Sequence, residues 1–414
     1  MKIGFLGYEY FGEKKSNIPS STHGGFGYLT RQKAEYLARM GHEVHVFIPA
    51  ASYDRSRNSD YDIEINHVFL HFYRSSDKLS EGKISSVVAK FSQHWRSNTH
   101  LKTLLSKYPM DVYQSEEPGL FSLQAIRKSP KHIVVFQDPY DQQDFSIMDR
   151  AEMEYLSILG KQNSRASEES SQSAIKKALQ RKSRSYVPKI LNSIDQRNIY
   201  SAANFISEKV KRMYSLQYTP KTLRNPMDIP SYEINKSNNP TVLWIGRFDP
   251  QKRPDIALDV AAGLKDIEFH FVGRASEYGP YLDVENALVN RYSKYENIHF
   301  HGFISESEKS KLLKISWIFL NTSVREGLPA VFLEAMVNKC ALVSFVDPDN
   351  YVSKFGAVAT KNNIKQILIE SVNSKLHKTV GENAAKYIHE NHETKKVMEE
   401  HLKIFNRVTG NNYD

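Results

Sequence analysis

The 414-residue chain has a single cysteine, Cys340, so no intrachain disulfide can form. A lone thiol fits a reducing compartment. No stretch approaches the roughly 20 apolar residues that cross a bilayer as a helix. The start, Met1–Gly7, is apolar but runs into Glu9, Glu13 and Lys14, and reads as a first strand rather than a leader. The glycines do not have the spacing of a dinucleotide fingerprint, and the Gly-Lys-Ser/Thr of a nucleotide-hydrolysing P-loop is missing. Histidines are scattered. His42 with His45 and His299 with His301 are the nearest pairs on strands, without the further ligands of a metal site. Asp347-Pro348-Asp349 has the outline of a metal-holding carboxylate pair, but a proline after a strand reads more simply as a turn. There is no short repeat and no low-complexity block.

What is present is ordinary globular composition, 40% hydrophobic and 25% charged, over a length that predicts two domains. Strands alternate with helices, so the class is α/β with mainly parallel sheets. Strands are expected at Ile3–Tyr8, Glu43–Ile48, Val68–Tyr73, Asp111–Gln114, His132–Gln137, Ala203–Ser207 and Thr222–Arg224. Helices are expected at Phe26–Met40, Ser85–Lys107 and Glu208–Leu216, with a polar helical arm over about 148–200. Residues 225–240 read as a linker with strong composition breaks. A second alternation covers Thr241–Gly246, Glu268–Gly273, Asn297–His301, Trp317–Leu320 and Ala341–Phe345, and a helical tail runs from Thr379 to about Val408. The expected domains are 1–224, including the arm, and 241–390, with 391–414 as a tail. Two sequential α/β domains, each with a site-bearing loop, predict a ligand held in a cleft between them.

The net charge of +9 is uneven: eight cations face two glutamates between Lys161 and Lys189. Ile175, Ala178, Leu179 and Tyr186 fall near helical spacing there. The arm therefore reads as a solvated helix or as a face that meets an anionic membrane. Aromatics are not interleaved with these cations, which argues against nucleic acid as a partner.

Three patches carry chemistry. Thr22-His23-Gly24-Gly25-Phe26-Gly27 follows the first strand and opens a helix, where glycines let the backbone approach a phosphate. Gly246-Arg247-Phe248-Asp249-Pro250-Gln251-Lys252 follows the first strand of the second domain. Arg247 and Lys252 bracket its turn and can converge on a diphosphate. The third is Glu326-Gly327-Leu328-Pro329 with Glu334. A hydrophobic run from Trp317 to Leu320 predicts a buried strand, and Pro329 opens an amphipathic helix. Glu326 then sits at the strand's carboxyl end, and Glu334 about one turn into the helix. The amides between them form an anion site. Two acids around such a site suit a ligand with phosphates and hydroxyls, such as a nucleotide sugar.

Taken together, Gly24–Gly27, Asn225-Pro226, Gly246-Arg247 with Lys252, Gly302-Phe303, and Glu326 and Glu334 with seven residues between them make the chain resemble family 4 glycosyltransferases (glycosyl transferases group 1) of the GT-B fold. The resemblance spans nearly the whole chain. It implies two Rossmann-like domains with an interdomain cleft, a C-terminal helix packing back on the first domain, and a retaining transfer of a hexose from a nucleotide-diphosphate sugar without a metal or other cofactor. It implies that Arg247 and Lys252 neutralise the diphosphate and that Gly24 and Gly25 approach it. Glu326 would hold sugar hydroxyls, and Gly327, Leu328 and Pro329 would meet phosphate through their backbone. Glu334 would bind the ribose, and Phe303 and Ile304 would meet the base. The expected partners are the donor and a glycan or lipid-linked acceptor, in the cytoplasm or peripherally at the inner face of an anionic membrane.

The chain departs from the family at the end of the His132–Gln137 strand, where a histidine is common. Gln137 and Asp138 stand there, and Asp138 is taken as the candidate sugar contact. The alternative that this departure raises is a non-catalytic GT-B protein that binds nucleotide sugar or glycan as a scaffold.

Overall fold

A computed structural model of the protein describes residues 1–7, 25–50, 61–74, 99–160, 187–275 and 281–410. Two sheets organise it. In the first, β1 (Lys2–Leu6), β2 (Glu43–Ala50), β4 (Val68–Arg74), β5 (Val112–Glu116), β6 (His132–Phe136), β7 (Ile199–Ser201) and β8 (Lys221–Thr222) are parallel, and β3 (Tyr61–Ile65) pairs antiparallel with β4. The order is β3-β4-β2-β1-β5-β6-β7-β8. The second sheet is parallel throughout. Its strands are β9 (Thr241–Ile245), β10 (Glu268–Val272), β11 (Ile298–Gly302), β12 (Ile318–Asn321), β13 (Ala341–Ser344) and β14 (Gly356–Val358), in the order β11-β10-β9-β12-β13-β14. Unbroken apolar runs such as Ile133–Phe136 and Ile318–Leu320 are fully buried, as strands covered on both faces must be.

Several sequence expectations shift. The short strand near residue 200 is Ile199–Ser201, not 203–207. Ile206 and Val210, four apart and both buried, belong instead to the Asn204–Tyr214 helix. β3 lies outside every strand expected from sequence. Of the helix expected over 85–107, residues 99–107 are helical and the rest lies outside the described residues. The tail is two helices, Leu376–Asn391 and Thr394–Thr409. The break falls at His392, which is fully buried. Its ring bonds the Tyr351 hydroxyl at 2.9 Å, and its carbonyl accepts from the Met227 amide at 2.7 Å.

The contacts divide the chain into two compact units, with crossings after Pro139, Pro226 and Glu393. The Gln142–Leu156 helix, assigned by sequence to the first domain and overlapping the start of the arm expected from about 148, belongs to the second unit. Tyr155 enters that unit's core beside Trp244 and Phe248, Arg253 Nη1 pairs with Glu154 at 2.7 Å, and Tyr281 donates to Glu152 at 2.6 Å. The expected linker also packs into the second unit from Met227 onward. Lys236 Nζ donates to the Ser316 carbonyl at 2.5 Å and the Asn338 carbonyl at 2.7 Å, supplying a cation where the Glu306–Ile315 and Ala330–Val337 helices end. The last helix, Thr394–Thr409, returns to the first unit, where Met398 and Phe405 join Val44 and Val46 in the core. Each such buried side chain contributes about 1.5–3 kcal/mol to that docking.

Candidate functional site

In the second sheet β9 has β10 on one side and β12 on the other, so the strand order reverses there. Loops leaving the carboxyl ends of neighbouring strands at such a point diverge around a crevice. The loop after β9 carries Arg247 and Lys252, and the loop after β12 carries Glu326. Hydrogen bonds tie the two together. Thr322 Oγ1 shares its one proton between the Lys252 and Arg253 carbonyls, at 2.8 and 2.9 Å, and accepts from Trp244 Nε1 at 3.1 Å. The Val324 amide donates to the Gln251 carbonyl at 2.9 Å, and Gln251 Nε2 returns to the Arg325 carbonyl at 3.0 Å.

This zipper brings Lys252 Nζ to 2.5 Å from Glu326 Oε1, with the Glu326 side chain only 7% exposed. Asp249 shapes the cationic turn. It accepts from the Lys252 amide at 2.9 Å and pairs with Arg247 Nε at 2.9 Å, leaving the Arg247 side chain 62% exposed. The end of β10 is fitted just as tightly: Gly273 has φ +125°, and a Cβ there would lie 1.8 Å from the Gly246 carbonyl oxygen, so only glycine fits.

Past Glu326, Gly327 and Leu328 are buried. Pro329 is the N-cap of the Ala330–Val337 helix, one residue earlier than a helical proline, and among the described residues no side chain caps the helix there. The helix is not amphipathic as expected, because Phe332 through Val337 are all buried. Glu334 is therefore a buried acid, and Lys309 Nζ lies 2.6 Å from its Oε1. Each glutamate of the pair thus has a lysine, which limits repulsion of an anion arriving at the helix N-terminus. Phe303 and Ile304 are half-buried after β11 and lead into the Ser305 capping box of the Glu306–Ile315 helix. The arrangement offers a cationic turn, a helix N-terminus and two fixed carboxylates, a set that can bind phosphate and hydroxyl groups of one ligand.

Residues 229–388 match the family Glycosyl transferases group 1. Arg247, Lys252, Phe303, Ile304, Glu326 and Glu334 all lie inside the matched residues. Among curated proteins, the chain is 29% identical over 171 residues to the capsular polysaccharide biosynthesis glycosyltransferase CapH of Staphylococcus aureus, covering 40% of this chain and 47% of that one. The chain spans about half the length of the curated relatives it matches. Among solved structures it is similar to a sucrose-phosphate synthase from Thermosynechococcus elongatus, with 13% identity, TM-score 0.69, and 99% and 100% of the two chains covered. It is also similar to Anabaena HepE in complex with UDP-glucose, with 14% identity, TM-score 0.65, and 99% and 100% covered. The fold is GT-B.

The remaining candidates lie in the first unit. Gly25 is the exposed first residue of the Gly25–Arg39 helix, and Gly24 lies outside the described residues, as does the basic arm from 161 to 186. Asp138 is half-buried after β6, its amide held by Glu117 Oε2 at 2.8 Å. Gln137, 3% exposed, turns inward. Its Nε2 donates to Glu116 Oε2 at 2.7 Å and to Asn225 Oδ1 at 3.0 Å, and its Oε1 accepts from Asn225 Nδ2 at 2.9 Å. Glu116 is also paired with fully buried Lys33 at 2.8 Å. Burial alone would raise the Glu116 carboxyl, but Lys33, Gln114 and Gln137 outweigh it and hold it below its ordinary value.

Asp347 is a capping residue: its Oδ1 accepts from the Val352 amide at 2.7 Å. Cys340 is fully buried as a packing residue, with its thiol pushed up by burial. Sequence reasoning missed Asp249, Gln251, Lys309, Thr322 and Arg325. Only Asp249 had a local signal, an acid three residues before the amide it caps.

Proposed function

We propose that this protein is a retaining glycosyltransferase that moves a hexose from a nucleotide-diphosphate sugar to a glycan or lipid-linked acceptor in cell-surface polysaccharide or glycoconjugate synthesis. The observation that carries the reading is the Lys252–Glu326 pair, set beside the N-terminus of the Ala330–Val337 helix at the strand-order reversal. Arg247, Lys252 and the helix amides would stabilise the departing diphosphate, which makes the transfer metal-independent. Glu326 would hold sugar hydroxyls and Glu334 the ribose, with Gly327, Leu328 and Pro329 at phosphate and Phe303 and Ile304 at the base. Gly24, Gly25 and Asp138 are assigned on the family resemblance. The relatives' names, a capsular polysaccharide glycosyltransferase and a protein bound to UDP-glucose, support donor and pathway class. The proposed location is the cytoplasm, with peripheral contact at the inner face of a membrane where the acceptor is lipid-linked.

Incubation with a panel of nucleotide sugars and lipid-linked acceptors, following nucleotide release with and without EDTA, tests the reading. NMR of the product gives the anomeric configuration. Release that needs an added metal, or an inverted product, would refute the corresponding part. The second reading, a nucleotide-sugar-binding scaffold, is favoured by the withdrawal of Gln137 into a buried network where a histidine is expected. Binding without turnover across all acceptors would select it.

A further inference from the structure

Beyond offsetting the charge of Glu334, Lys309 has no task in the donor site as assigned so far. It lies in the Glu306–Ile315 helix with its side chain 16% exposed. Its Nζ is 2.6 Å from Glu334 Oε1 and 2.9 Å from Glu306 Oε2. Burial opposes its charge, but Glu334 and Glu306 outweigh it and raise its pKa, so the group is a cation at every ordinary pH. Its own helix is anchored at the N-terminus by the Ser305–Glu308 capping box, with the Glu308 amide and the Ser305 amide both held.

A carboxylate on a flexible stem normally samples several rotamers. Glu334 is buried, and a largely buried cation on a neighbouring helix grips one of its oxygens. That grip fixes the direction in which the second oxygen can accept a hydrogen bond. A site built in this way around a hydroxyl discriminates strongly against a ligand that lacks it, because the polar group is then buried without its partner.

We infer that Lys309 is a positioning residue that fixes Glu334 for the vicinal hydroxyls of a ribose, so that the site selects ribonucleotide donors over 2′-deoxy ones. The inference rests on the proposed placement of the ribose at Glu334. A plain helix-to-helix staple would stabilise the fold without affecting this choice.

UDP, GDP, ADP and CDP are titrated calorimetrically, and the tightest binder is compared with its 2′-deoxy form. Wild type should prefer the ribo form by at least about tenfold, the loss expected for one buried hydrogen bond. Lys309→Met should erase most of that preference by weakening the ribo form and leaving the deoxy form nearly unchanged. Lys309→Arg should restore part of it, and Glu306→Gln should keep it. If Lys309→Met does not fold, Lys309→Gln is measured in its place. Equal weakening of both forms, or an unchanged ratio, overturns the inference and leaves the donor site standing. A wild type that does not distinguish the two forms removes the ribose from Glu334 and overturns both, as does failure to bind any of the four.

Discussion

Lys252 and Glu326, seventy-four residues apart in the chain, meet at 2.5 Å because the loops that carry them leave adjacent parallel strands and are stitched by Thr322 and Gln251. The pair is held before any ligand arrives. On the proposed function, the pair would present a cation to a leaving diphosphate and an acceptor to a sugar hydroxyl in fixed orientation, which is how electrostatic preorganisation lowers a barrier.

Lys252→Ala and Glu326→Ala should each lower sugar transfer by about 100-fold or more, with far-ultraviolet circular dichroism unchanged. Because the two groups act as one unit, the double variant should be little worse than either single one. Near-normal transfer in both single variants would remove the pair from the site.

Arg325 sets the loop from the other side. Its guanidinium lies 3.4 Å from the centroid of the Tyr140 ring, and its Nε is 3.0 Å from Asp144 Oδ1. Both partners are in the second unit. Arg325→Ala should cost about 3–5 kcal/mol, the range for breaking a buried ion pair. Arg325→Lys should recover less than half, since an ammonium cannot stack as a planar group. Urea unfolding measures both, and a loss under 1 kcal/mol, roughly that of an exposed pair, would contradict the packing.

Gln137→His introduces the residue common at this place in the glycosyltransferases that the sequence resembles, but strands its partners. Glu116 and Asn225 would lose bonds of 2.7 to 3.0 Å. The expected result is a loss of about 1–3 kcal/mol and no gain in transfer. A faster enzyme of unchanged stability would show that the network is dispensable.

Burial pushes His132 down to about 3, and burial followed by the Lys33 charge pushes His401 down to about 3. Both stay neutral in the folded first unit, whereas the unfolded chain takes up protons near pH 6.5. Their contribution to stability is therefore complete above pH 6.5 and is lost as pH falls toward 3. The slope for the two together is about 2.7 kcal/mol per pH unit. Urea midpoints at pH 7.5, 6.5 and 5.5 check this, and His132→Gln should flatten the fall between the last two. A midpoint that rises on acidification would reverse the sign and refute the assignment.

Much of the local framework of the candidate site was legible in sequence. Glycine, proline and charge at fixed offsets from apolar strands marked the Arg247–Lys252 turn and the Glu326–Pro329 loop, because those signals are local and set by backbone sterics and helix ends. The α/β class followed from the same alternation. The burial of Glu334 was not legible, since an acid in an eight-residue helix looks exposed until the helix is covered on all sides. Nor was the inward turn of Gln137, which depends on Asn225, eighty-eight residues on.

The sequence by itself determined the strand ends and helix starts that carry the Arg247–Lys252 turn and the Glu326–Pro329 loop, where the proposed function would hold an anion and a diol. Tertiary structure decided the pairings. Lys252 with Glu326, Lys309 with Glu334, and the Gln142–Leu156 helix with the second unit all join segments distant in the chain. Such contacts depend on sheet order and on which apolar faces cover one another, and no local pattern of residues encodes them.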